Sequence, residues 1–303
     1  MKCDKMIDCI NNLKSNIQHG IESTDLNSFF EALENIKEPT LVTGCGGSSV
    51  VGTFLAKVLR EKNGIIATFA TPRDMLYMNL EAYKNVISCS YSGRNIGVDV
   101  SFENKLNRYL FTGHPRDDTN NIIYNMKPEE SYVSIGATFV PLSLLLLYYR
   151  NDKNLLDEIL NMDIATDSKK DVYEVMLGYE NATAGMMLES SITEGCIGAC
   201  TLHDKYNYCH GRINLSRKKN SDMIFFKGNN ELDAAIEEVI NSLYDKVIVI
   251  ENRYDDVVIN DFYCTYMSLK LIVSLANNYG VDISDMKELP VNDRLYLFKG
   301  KMK

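Results

Sequence analysis

The amino-terminal part of the chain repeats its apolar residues at the spacing of a helix. The repeat comprises Met6, Ile7, Ile10, Leu13 and Ile17. Residues three or four positions apart share one face of a helix, so a first helix is predicted there, ending at His19-Gly20. A second helical repeat follows Ser23-Thr24 and ends near Ile36. We expect these helices, in residues 1–37, to pack on the domain that follows or on a partner subunit.

Residues 38–150 alternate short apolar runs with helical repeats. Strands are predicted at 40–43, 65–69, 86–90, 109–112 and 132–135, and helices at 50–61, 74–83, 96–106 and 139–149. Short strands that alternate with helices are typical of a doubly wound parallel sheet, in which each helix crosses over to the next strand. We therefore assign this range to a first α/β domain.

The alternation pauses and then resumes in the second half of the chain. Residues 151–170 are polar at both ends and carry one helical repeat, which indicates a linking helix. Strands are then predicted at 172–177, 223–226 and 246–250, and helices at 182–200, 231–244 and 262–278. Residues 171–303 are therefore assigned to a second parallel-sheet domain with a carboxyl-terminal tail.

Charge and apolar content exclude several classes of partner. The net charge of −9 argues against nucleic acid, whose binding depends on clustered lysine and arginine. The longest apolar run, 139–149, contains Pro141 and is too short to span a bilayer, so no membrane association is expected.

Residues 1–14 are interrupted by charges, unlike a signal peptide, and eight cysteines without such a signal indicate reduced thiols. We therefore expect a cytoplasmic protein.

Residues 42–49 combine glycines and hydroxyls between a predicted strand and a predicted helix. They comprise Val42, Thr43, Gly44, Cys45, Gly46, Gly47, Ser48 and Ser49. Glycines let the backbone approach a ligand closely and direct N–H groups toward it, and hydroxyls at the helix start add further donors. This combination suits a phosphate group, with Gly46, Gly47 and Ser48 as the main contacts and Ser49 as a further one.

A second hydroxyl-rich turn follows the strand predicted at 86–90. Ser90, Ser92 and Asn95 supply donors in it, and Arg94 lies among them. The carboxyl ends of parallel strands meet at one edge of a sheet, so this turn can face the first. Two alternatives stay open. One is a dinucleotide fold, although the G-x-G-x-x-G spacing is absent, and the other is a purely structural tight turn.

The second half of the chain contributes a carboxylate and an imidazole. Glu194 lies in a predicted helix among small and apolar residues, where partial burial would raise the pKa of a carboxyl group. His210 follows in a predicted loop beside Gly211. A carboxylate that takes a proton from carbon and an imidazole that serves a ring oxygen are what aldose–ketose isomerisation requires. The alternative is an ordinary solvated glutamate.

A cluster of cysteine and histidine residues raises a rival interpretation. Cys196, Cys200, His203, Cys209 and His210 fall within fifteen residues. Zinc sites use these ligands, and a helix would place Cys196 and Cys200 on one face. No C-x-x-C pair is present, however, and buried free cysteine is common. We expect no metal and no other cofactor.

Four segments, taken together, resemble the sugar isomerase (SIS) domain family. They are Gly46-Gly47-Ser48, Ser90-Tyr91-Ser92-Gly93, the interval from Glu194 to His210-Gly211, and Lys227-Gly228-Asn229-Asn230-Glu231-Leu232. Their order and spacing are similar to those of the tandem-domain isomerase half of glucosamine-6-phosphate synthase, and the resemblance covers roughly residues 38–295. It implies two flavodoxin-like SIS domains in tandem.

The resemblance implies a phosphate site in the first domain. The residues at the family's phosphate-binding positions are Ser48, Ser90, Ser92 and Asn95. Asn95 stands where threonine is usual in the family. Arg94 replaces a common acidic residue, and it either adds a charged contact or is solvated.

The resemblance also implies a catalytic site. Glu194 falls at the position of the base that moves a proton between C1 and C2. His210 falls at the ring-opening residue, which in the synthase comes from the neighbouring subunit, so a homodimer is implied. Arg212 stands where the synthase has proline, and Arg294 lies at or beside its Schiff-base lysine. Arginine stays protonated and cannot act as that nucleophile.

These observations predict an enzyme that acts on phosphorylated sugars. We expect a cytoplasmic, dimeric isomerase or deglycase whose substrate is a 6-phosphorylated sugar or amino sugar. The glutamine-hydrolysing domain of the synthase has no counterpart in the sequence, so nitrogen transfer from glutamine is not expected. The alternatives are a non-catalytic phosphosugar sensor and a structural protein that kept only the fold.

Overall fold

A computed structural model describes residues 3–129 and 131–286 of the chain. The described residues form two compact units. The first unit is Cys9–Lys153, and the second unit is Asn154–Met286 together with residues 3–8. No helix among the described residues is both long and apolar enough to cross a membrane.

The first unit contains a five-stranded parallel sheet. Its strands are β1 (Thr40–Thr43), β2 (Ala67–Phe69), β3 (Asn85–Cys89), β4 (Asn107–Thr112) and β5 (Asn120–Ile123). The helices up to residue 150 are α1 (Asp4–Ser23), α2 (Leu26–Glu34), α3 (Gly47–Asn63), α4 (Pro72–Met75), α5 (Ile96–Ser101) and α6 (Ile135–Arg150). All neighbouring strands are parallel, in the order β2-β1-β3-β4-β5.

The apolar sequence of the first unit explains this layout. β1 and β3 are buried along their whole length, as expected for central strands of a parallel sheet. α3 and α6 pack against each other, and α6 is buried on nearly all sides. A further core cluster joins the sheet to α4 and α5. It comprises Leu41, Ala70, Met75, Val86, Val98, Phe102 and Leu110.

The second unit repeats the architecture with four strands. Its strands are β6 (Val172–Leu177), β7 (Ala199–Asp204), β8 (Ser221–Lys227) and β9 (Val247–Glu251). The helices after α6 are α7 (Lys153–Ile159), α8 (Ala182–Glu194), α9 (Lys205–Cys209), α10 (Glu231–Leu243) and α11 (Val257–Tyr279). The sheet is again parallel, in the order β7-β6-β8-β9.

One core cluster of the second unit lies between its sheet and the helices α9 and α10. It comprises Met176, Tyr208, Met223, Phe225, Ile236, Ile240 and Tyr244. α11 packs against α8. The amino-terminal residues belong to this unit because the Asp282 carboxylate accepts hydrogen bonds from the backbone N–H groups of Lys5 (2.9 Å) and Met6 (3.1 Å).

The structure corrects the last strand predicted for the first unit. The stretch 132–135 is not a strand, and α6 already begins at Ile135. The Glu129 carboxylate accepts a hydrogen bond from the Gly136 N–H (2.7 Å), which satisfies a donor at the helix start. The fifth strand is β5 instead. It escaped prediction because it begins with two asparagines and only Ile122 is buried.

Three helices of the first unit end elsewhere than predicted, among them α5, which ends at Ser101 instead of residue 106. α1 continues through Gly20 to Ser23. A Cβ at Gly20 would lie 2.4 Å from the Val140 side chain, so this glycine permits close packing on α6 instead of stopping the helix. The helix predicted at 74–83 is only the single turn α4, after which the chain is irregular.

The helix predicted at 182–200 ends at Glu194, and an unpredicted strand, β7, follows it. Glycines separate the two elements. A Cβ at Gly198 would lie 2.8 Å from a backbone carbonyl oxygen, so only glycine fits there. Because the helix ends early, Cys196 and Cys200 do not share a helix face, and that prediction is wrong.

Candidate functional site

The chain leaves β1 through a tight turn of glycines and hydroxyls, residues 44–49, which we call the glycine turn. Gly46 has φ 55° and ψ −135°, a conformation that side-chain-bearing residues rarely adopt. α3 begins at the next residue. Ser49 Oγ donates a hydrogen bond to the Gly44 carbonyl oxygen (3.1 Å), which ties the turn to the helix start.

The exposed part of the glycine turn lies at the N-terminus of α3. Gly46 and Gly47 are exposed, and Ser48 is half-buried. A Cβ at Gly47 would lie 3.2 Å from Thr138 Oγ1, so the turn passes close to the start of α6. The N-terminus of this 17-residue helix carries partial positive charge and backbone N–H donors, which favour an anion.

The chain leaves β3 through a second turn, residues 90–95, which we call the serine turn. Ser90 is 3% exposed, and its Oγ accepts hydrogen bonds from the Gly93 N–H (3.2 Å) and Asn95 Nδ2 (3.4 Å). Asn95 also caps α5, since its Oδ1 accepts a hydrogen bond from the Val98 N–H (3.1 Å). Because Ser90 Oγ accepts in both of its bonds, its own proton is still available to donate.

The remaining polar residues of the serine turn lie at the surface. Ser92 and Arg94 are both exposed. Ser92 Oγ accepts a long hydrogen bond from the Arg94 backbone N–H (3.4 Å). The turn therefore presents a hydroxyl and a cation to solvent, above the buried Ser90.

The end of β4 and the loop after it brace the serine turn. Arg116 donates to Asp99 Oδ1 on α5 (2.8 Å) and to the Gly93 carbonyl oxygen (3.4 Å). Thr112 Oγ1 donates to the Tyr91 carbonyl oxygen (2.9 Å). Sequence reasoning did not find these two supporting residues, because they follow the turn by some twenty positions and belong to no motif.

The first sheet brings the glycine turn and the serine turn to the same edge. β1 and β3 are adjacent parallel strands, with Thr43 opposite Ser88. β2 lies on the other side of β1, so the strand order reverses here, and open α/β sheets bind ligands in the crevice at such a switch point. Thr43 Oγ1, at the end of β1, is buried and has no hydrogen-bond partner among the described residues.

All six residues predicted to bind phosphate lie in these two turns. They are Gly46, Gly47, Ser48, Ser90, Ser92 and Asn95. Of the two further candidates there, Ser49 is hydrogen-bonded to the backbone of its own turn. Arg94 is exposed at the same edge.

At the corresponding edge of the second sheet, the protein's own carboxylates occupy two helix starts. Asp261, buried on α11, accepts hydrogen bonds from the N–H (3.1 Å) and Oγ1 (2.7 Å) of Thr183 at the start of α8. Asp233, buried at the start of α10, accepts from the Gly228 N–H and from Lys205 Nζ (2.6 Å). An anion would meet negative charge at both helix starts, so the two sheets are not equivalent as anion sites.

Glu194 is the last residue of α8, and it is exposed. Its Oε1 accepts a hydrogen bond from Ser190 Oγ (2.8 Å), one helical turn earlier. The predicted partial burial is therefore wrong, because Ile192 and Ile197 take the buried positions around the helix end.

His210 lies at the end of α9, in the same unit as Glu194, and is also exposed. Its backbone N–H donates to the Tyr206 carbonyl oxygen (3.1 Å), and Gly211, with φ 112°, redirects the chain after it. Arg212 is exposed at the start of a 3-10 turn. The predicted Arg294 lies outside the described residues.

A buried polar cluster lies beside α9. Glu174, on β6, accepts hydrogen bonds from Ser221 Oγ (2.5 Å) and Tyr244 Oη (2.8 Å). His203 Nε2, on β7, lies 3.4 Å from Glu174 Oε2, and Tyr208 Oη lies 2.8 Å from Tyr244 Oη. Burial pushes the pKa of Glu174 upward, but the hydrogen bonds from its neighbours outweigh burial, and the net shift is downward.

The cysteine and histidine cluster does not have the geometry of a zinc site. His203 is buried beside Glu174, whereas Cys196 lies exposed in a turn with φ 49°. In the part of the chain that the structure describes, no three His, Cys, Asp or Glu side chains are grouped so that they could hold a metal ion.

Solved structures with a similar fold cover nearly the whole chain. One is the glucosamine-6-phosphate deaminase from Thermotoga maritima, with 16% identity, a TM-score of 0.69 and coverage of 94% of this chain and 98% of that chain. Another is the C-terminal domain of the glucosamine-fructose-6-phosphate aminotransferase from Francisella tularensis, with 14% identity, a TM-score of 0.69 and coverage of 93% and 98%. The tagatose-6-phosphate ketose/aldose isomerase from Escherichia coli matches with 15% identity, a TM-score of 0.66 and coverage of 94% and 95%.

The similarity is one of structure. No protein-family model matches the sequence, and no curated protein matches it. At identities of 14–16% the likeness establishes the fold. The predicted fold class is confirmed: the chain has two parallel-sheet α/β domains, and its fold is similar to that of these solved structures.

Proposed function

We propose that this chain is a phosphosugar isomerase or deglycase that acts on a 6-phosphorylated sugar or amino sugar. The observation that carries the proposal is the convergence of the glycine turn and the serine turn at the switch point of the first sheet. Two of the solved structures with this fold are named for glucosamine-6-phosphate and tagatose-6-phosphate. Their names favour the same class of substrate for this chain.

In this proposal the phosphate occupies the crevice between the two turns. The donors are the backbone at Gly46 and Gly47 and the side chains of Ser48, Ser90, Ser92 and Asn95. The N-terminus of α3 adds its partial positive charge, which stabilises a dianion. Arg94 adds a cation, and Ser49 mainly supports the turn. The carboxylates at the edge of the second sheet support the assignment of the phosphate to the first unit.

Glu194 and His210 divide the chemistry between them. His210 exchanges a proton with the ring oxygen, so that the sugar opens to its carbonyl form. Glu194 takes the proton from one of the carbons C1 and C2 and returns it to the other through an enediol intermediate. When an amine is attached at C1 of the ketose form, the same transfer produces an imine. Water then hydrolyses the imine and releases the amine, which is deglycase chemistry.

A phosphosugar sensor that does not turn over its ligand is the second candidate. Glu194 is exposed at a helix end. Arg294 stands at or beside the position where the resemblance places a nucleophilic lysine. Both observations favour binding without catalysis. A measurement of proton exchange on a bound phosphosugar separates the two candidates.

We further propose a cytoplasmic homodimer with SIS domains at 38–150 and 171–303, preceded by the helices of 1–37 and joined by 151–170. The boundary between the two compact units, after Lys153, supports this division because it falls within the linking segment. The dimer follows from the role of His210 in the resemblance.

Proton NMR in D2O tests the function directly. The protein is incubated with glucose 6-phosphate, fructose 6-phosphate or glucosamine 6-phosphate, and loss of the C1 or C2 proton signal is followed. Glu194→Gln should lower the exchange rate about 100-fold with little change in phosphosugar binding, because only the proton-transfer step needs the carboxylate. Glu189→Gln, on the same helix, is the matched control and should keep the rate.

Each outcome has a distinct meaning. Equal exchange rates in Glu194→Gln and the wild type contradict the role of Glu194. A thermal shift with a phosphosugar, but no exchange in the wild type, favours the sensor. If the wild type neither binds any of the three compounds nor exchanges a proton with them, the proposal as a whole is contradicted.

A further inference from the structure

α9 is short, yet it carries His210 at its end. It spans five residues, Lys205–Cys209, and a helix of this length is not stable alone in water. Its position must therefore come from side chains that tie it to the second unit. Lys205 and Tyr208 are the two buried residues of the helix. The exposed ones are Tyr206, Asn207 and Cys209.

Lys205 anchors the beginning of α9. Its Nζ lies 2.6 Å from Asp233 Oδ2 and 3.0 Å from Glu180 Oε1. Asp204 caps the helix, since its Oδ1 accepts a hydrogen bond from the Asn207 N–H (3.0 Å). These contacts hold the first turn, which is the end of α9 farther from His210.

Tyr208 anchors the end of α9 that precedes His210. The residue is 1% exposed. Its ring meets the His203 ring edge to face, with centroids 5.4 Å apart, and its Oη lies 2.8 Å from Tyr244 Oη. Tyr208 is thus the buried side chain nearest in sequence to His210.

The direction of the hydrogen bond between the two tyrosines follows from Glu174. An ionised carboxylate only accepts hydrogen bonds, so Tyr244 uses its single proton in its bond to Glu174 Oε2. Tyr244 Oη can then only accept from Tyr208, and Tyr208 must be the donor. Burial raises the pKa of Tyr208 to about 12, so it keeps this proton at neutral pH.

We infer that Tyr208 is a positioning residue for His210, held in place by the hydrogen-bond chain that runs through Tyr244 to Glu174. The inference deepens the proposed function and rests on it for the role of His210. The His210 N–H donates to the Tyr206 carbonyl oxygen, so the backbone that carries the imidazole follows the orientation of α9. Tyr208→Phe would keep the ring but leave Tyr244 Oη without its donor, which frees the end of the helix.

Carbon–proton NMR correlations of the histidine rings test the positioning directly and need no substrate. The chain has four histidines, and the His210 signal is the one that disappears in His210→Gln. In Tyr208→Phe that signal should move or broaden. Tyr206→Phe, in the same helix but 68% exposed, is the matched control and should leave it in place. An unchanged His210 signal in Tyr208→Phe overturns the inference.

Proton exchange with fructose 6-phosphate supplies the second readout. Tyr208→Phe should lower kcat about tenfold and leave KM nearly unchanged, because a small displacement of a catalytic group slows the chemical step. The double variant with His210→Gln should be no slower than His210→Gln alone, since Tyr208 acts through His210. A further loss in the double variant would show a general structural effect and overturn the positioning role.

Failure of the proposed function is distinguishable from failure of this inference. If the wild type exchanges no proton with any of the three phosphosugars, the function fails, and the histidine spectra alone decide the positioning role. If Tyr208→Phe does not fold, Tyr244→Phe interrupts the same chain one link further from His210. The His210 signal should then move in Tyr244→Phe, and an unchanged signal there overturns the inference.

Discussion

Glu174 carries a negative charge in the interior of the second unit. A buried carboxylate is tolerated when hydrogen bonds replace its water shell. Ser221 Oγ and Tyr244 Oη donate to it, and His203 Nε2 lies 3.4 Å away. Together these neighbours hold the pKa of Glu174 below its usual value in spite of burial.

Glu174→Gln should destabilise the protein at pH 7 by about 2 kcal/mol, the scale of hydrogen bonds to a charged group. The pKa of Glu174 is lowered on folding, so its contribution is fully present above the unfolded pKa of about 4.3. That contribution is lost as the pH falls through the folded pKa. The difference in thermal midpoint between variant and wild type should therefore shrink as the pH is lowered below 4.

Thermal midpoints measured from pH 7 down to pH 3 check this prediction. Glu238→Gln, at an exposed position on α10, is the control. Its free energy of unfolding should stay within about 0.5 kcal/mol of the wild-type value at every pH. A difference for Glu174→Gln that stays constant over the whole range is inconsistent with an ionised Glu174 in the folded protein.

At the scale of elements, the glycine turn depends on backbone conformation. Gly46 lies at φ 55° and ψ −135°, outside the left-handed helical region that Asn or Asp can enter. The next residue begins α3, so this conformation sets where the first N–H groups and Ser48 lie. The same helix ends at Gly64, with φ 67° and ψ 26°, which offers a matched position at its other end.

Gly46→Ala should weaken binding of fructose 6-phosphate about tenfold or more, equivalent to about 1.4 kcal/mol. The added Cβ forces the turn out of its conformation and moves the donors of the crevice. Gly64→Ala also introduces strain at positive φ, but its Cβ would meet no atom within 4 Å. It should lower the thermal midpoint and leave binding unchanged. Isothermal titration of the wild type and both variants with fructose 6-phosphate checks this prediction. An affinity of Gly46→Ala equal to that of the wild type would contradict the role of the glycine turn.

At the scale of the molecule, the two units share one architecture but differ in the residues that lie at the carboxyl edge of their sheets. In the first unit, glycines and hydroxyls leave the carboxyl edge of β1 and β3. In the second unit, Asp261 and Asp233 occupy the helix starts at that edge. Glu194 and His210 lie on the second unit.

A mixed dimer tests whether one subunit completes the site of the other. Glu194→Gln and His210→Gln chains are coexpressed with different tags, and the dimer that carries both is isolated. If His210 acts on the partner's site, one site of the mixed dimer is intact, and about half of the wild-type exchange rate should return. Each parent homodimer serves as the inactive control.

Two results would contradict this prediction. A mixed dimer as inactive as its parents means that Glu194 and His210 act within one chain, since then each site lacks one residue. Failure to isolate any dimer, judged by light scattering of the wild type, contradicts the homodimer itself.

How much could be predicted differs between parts of the site. The glycine turn and the serine turn were predicted because a strand, a glycine-rich or hydroxyl-rich turn and a helix start follow one another within ten residues. The exposure of Glu194 was predicted wrongly because its apolar neighbours in sequence, Ile192 and Ile197, turn into the core while Glu194 does not. β7 was missed because the preceding helix was predicted to continue to residue 200, and the rest of the strand carries only one large apolar residue, Leu202.

The sequence by itself determined the α/β class, most strands and helices and the two turns, because hydrophobic period and turn chemistry are local properties. Only the tertiary structure decided which turns share an edge, since strand order depends on crossovers between distant segments. It alone also revealed the cluster around Glu174, whose partners Ser221 and Tyr244 are 47 and 70 residues away. Contacts across such separations have no signature in the local pattern, because packing of the whole unit creates them.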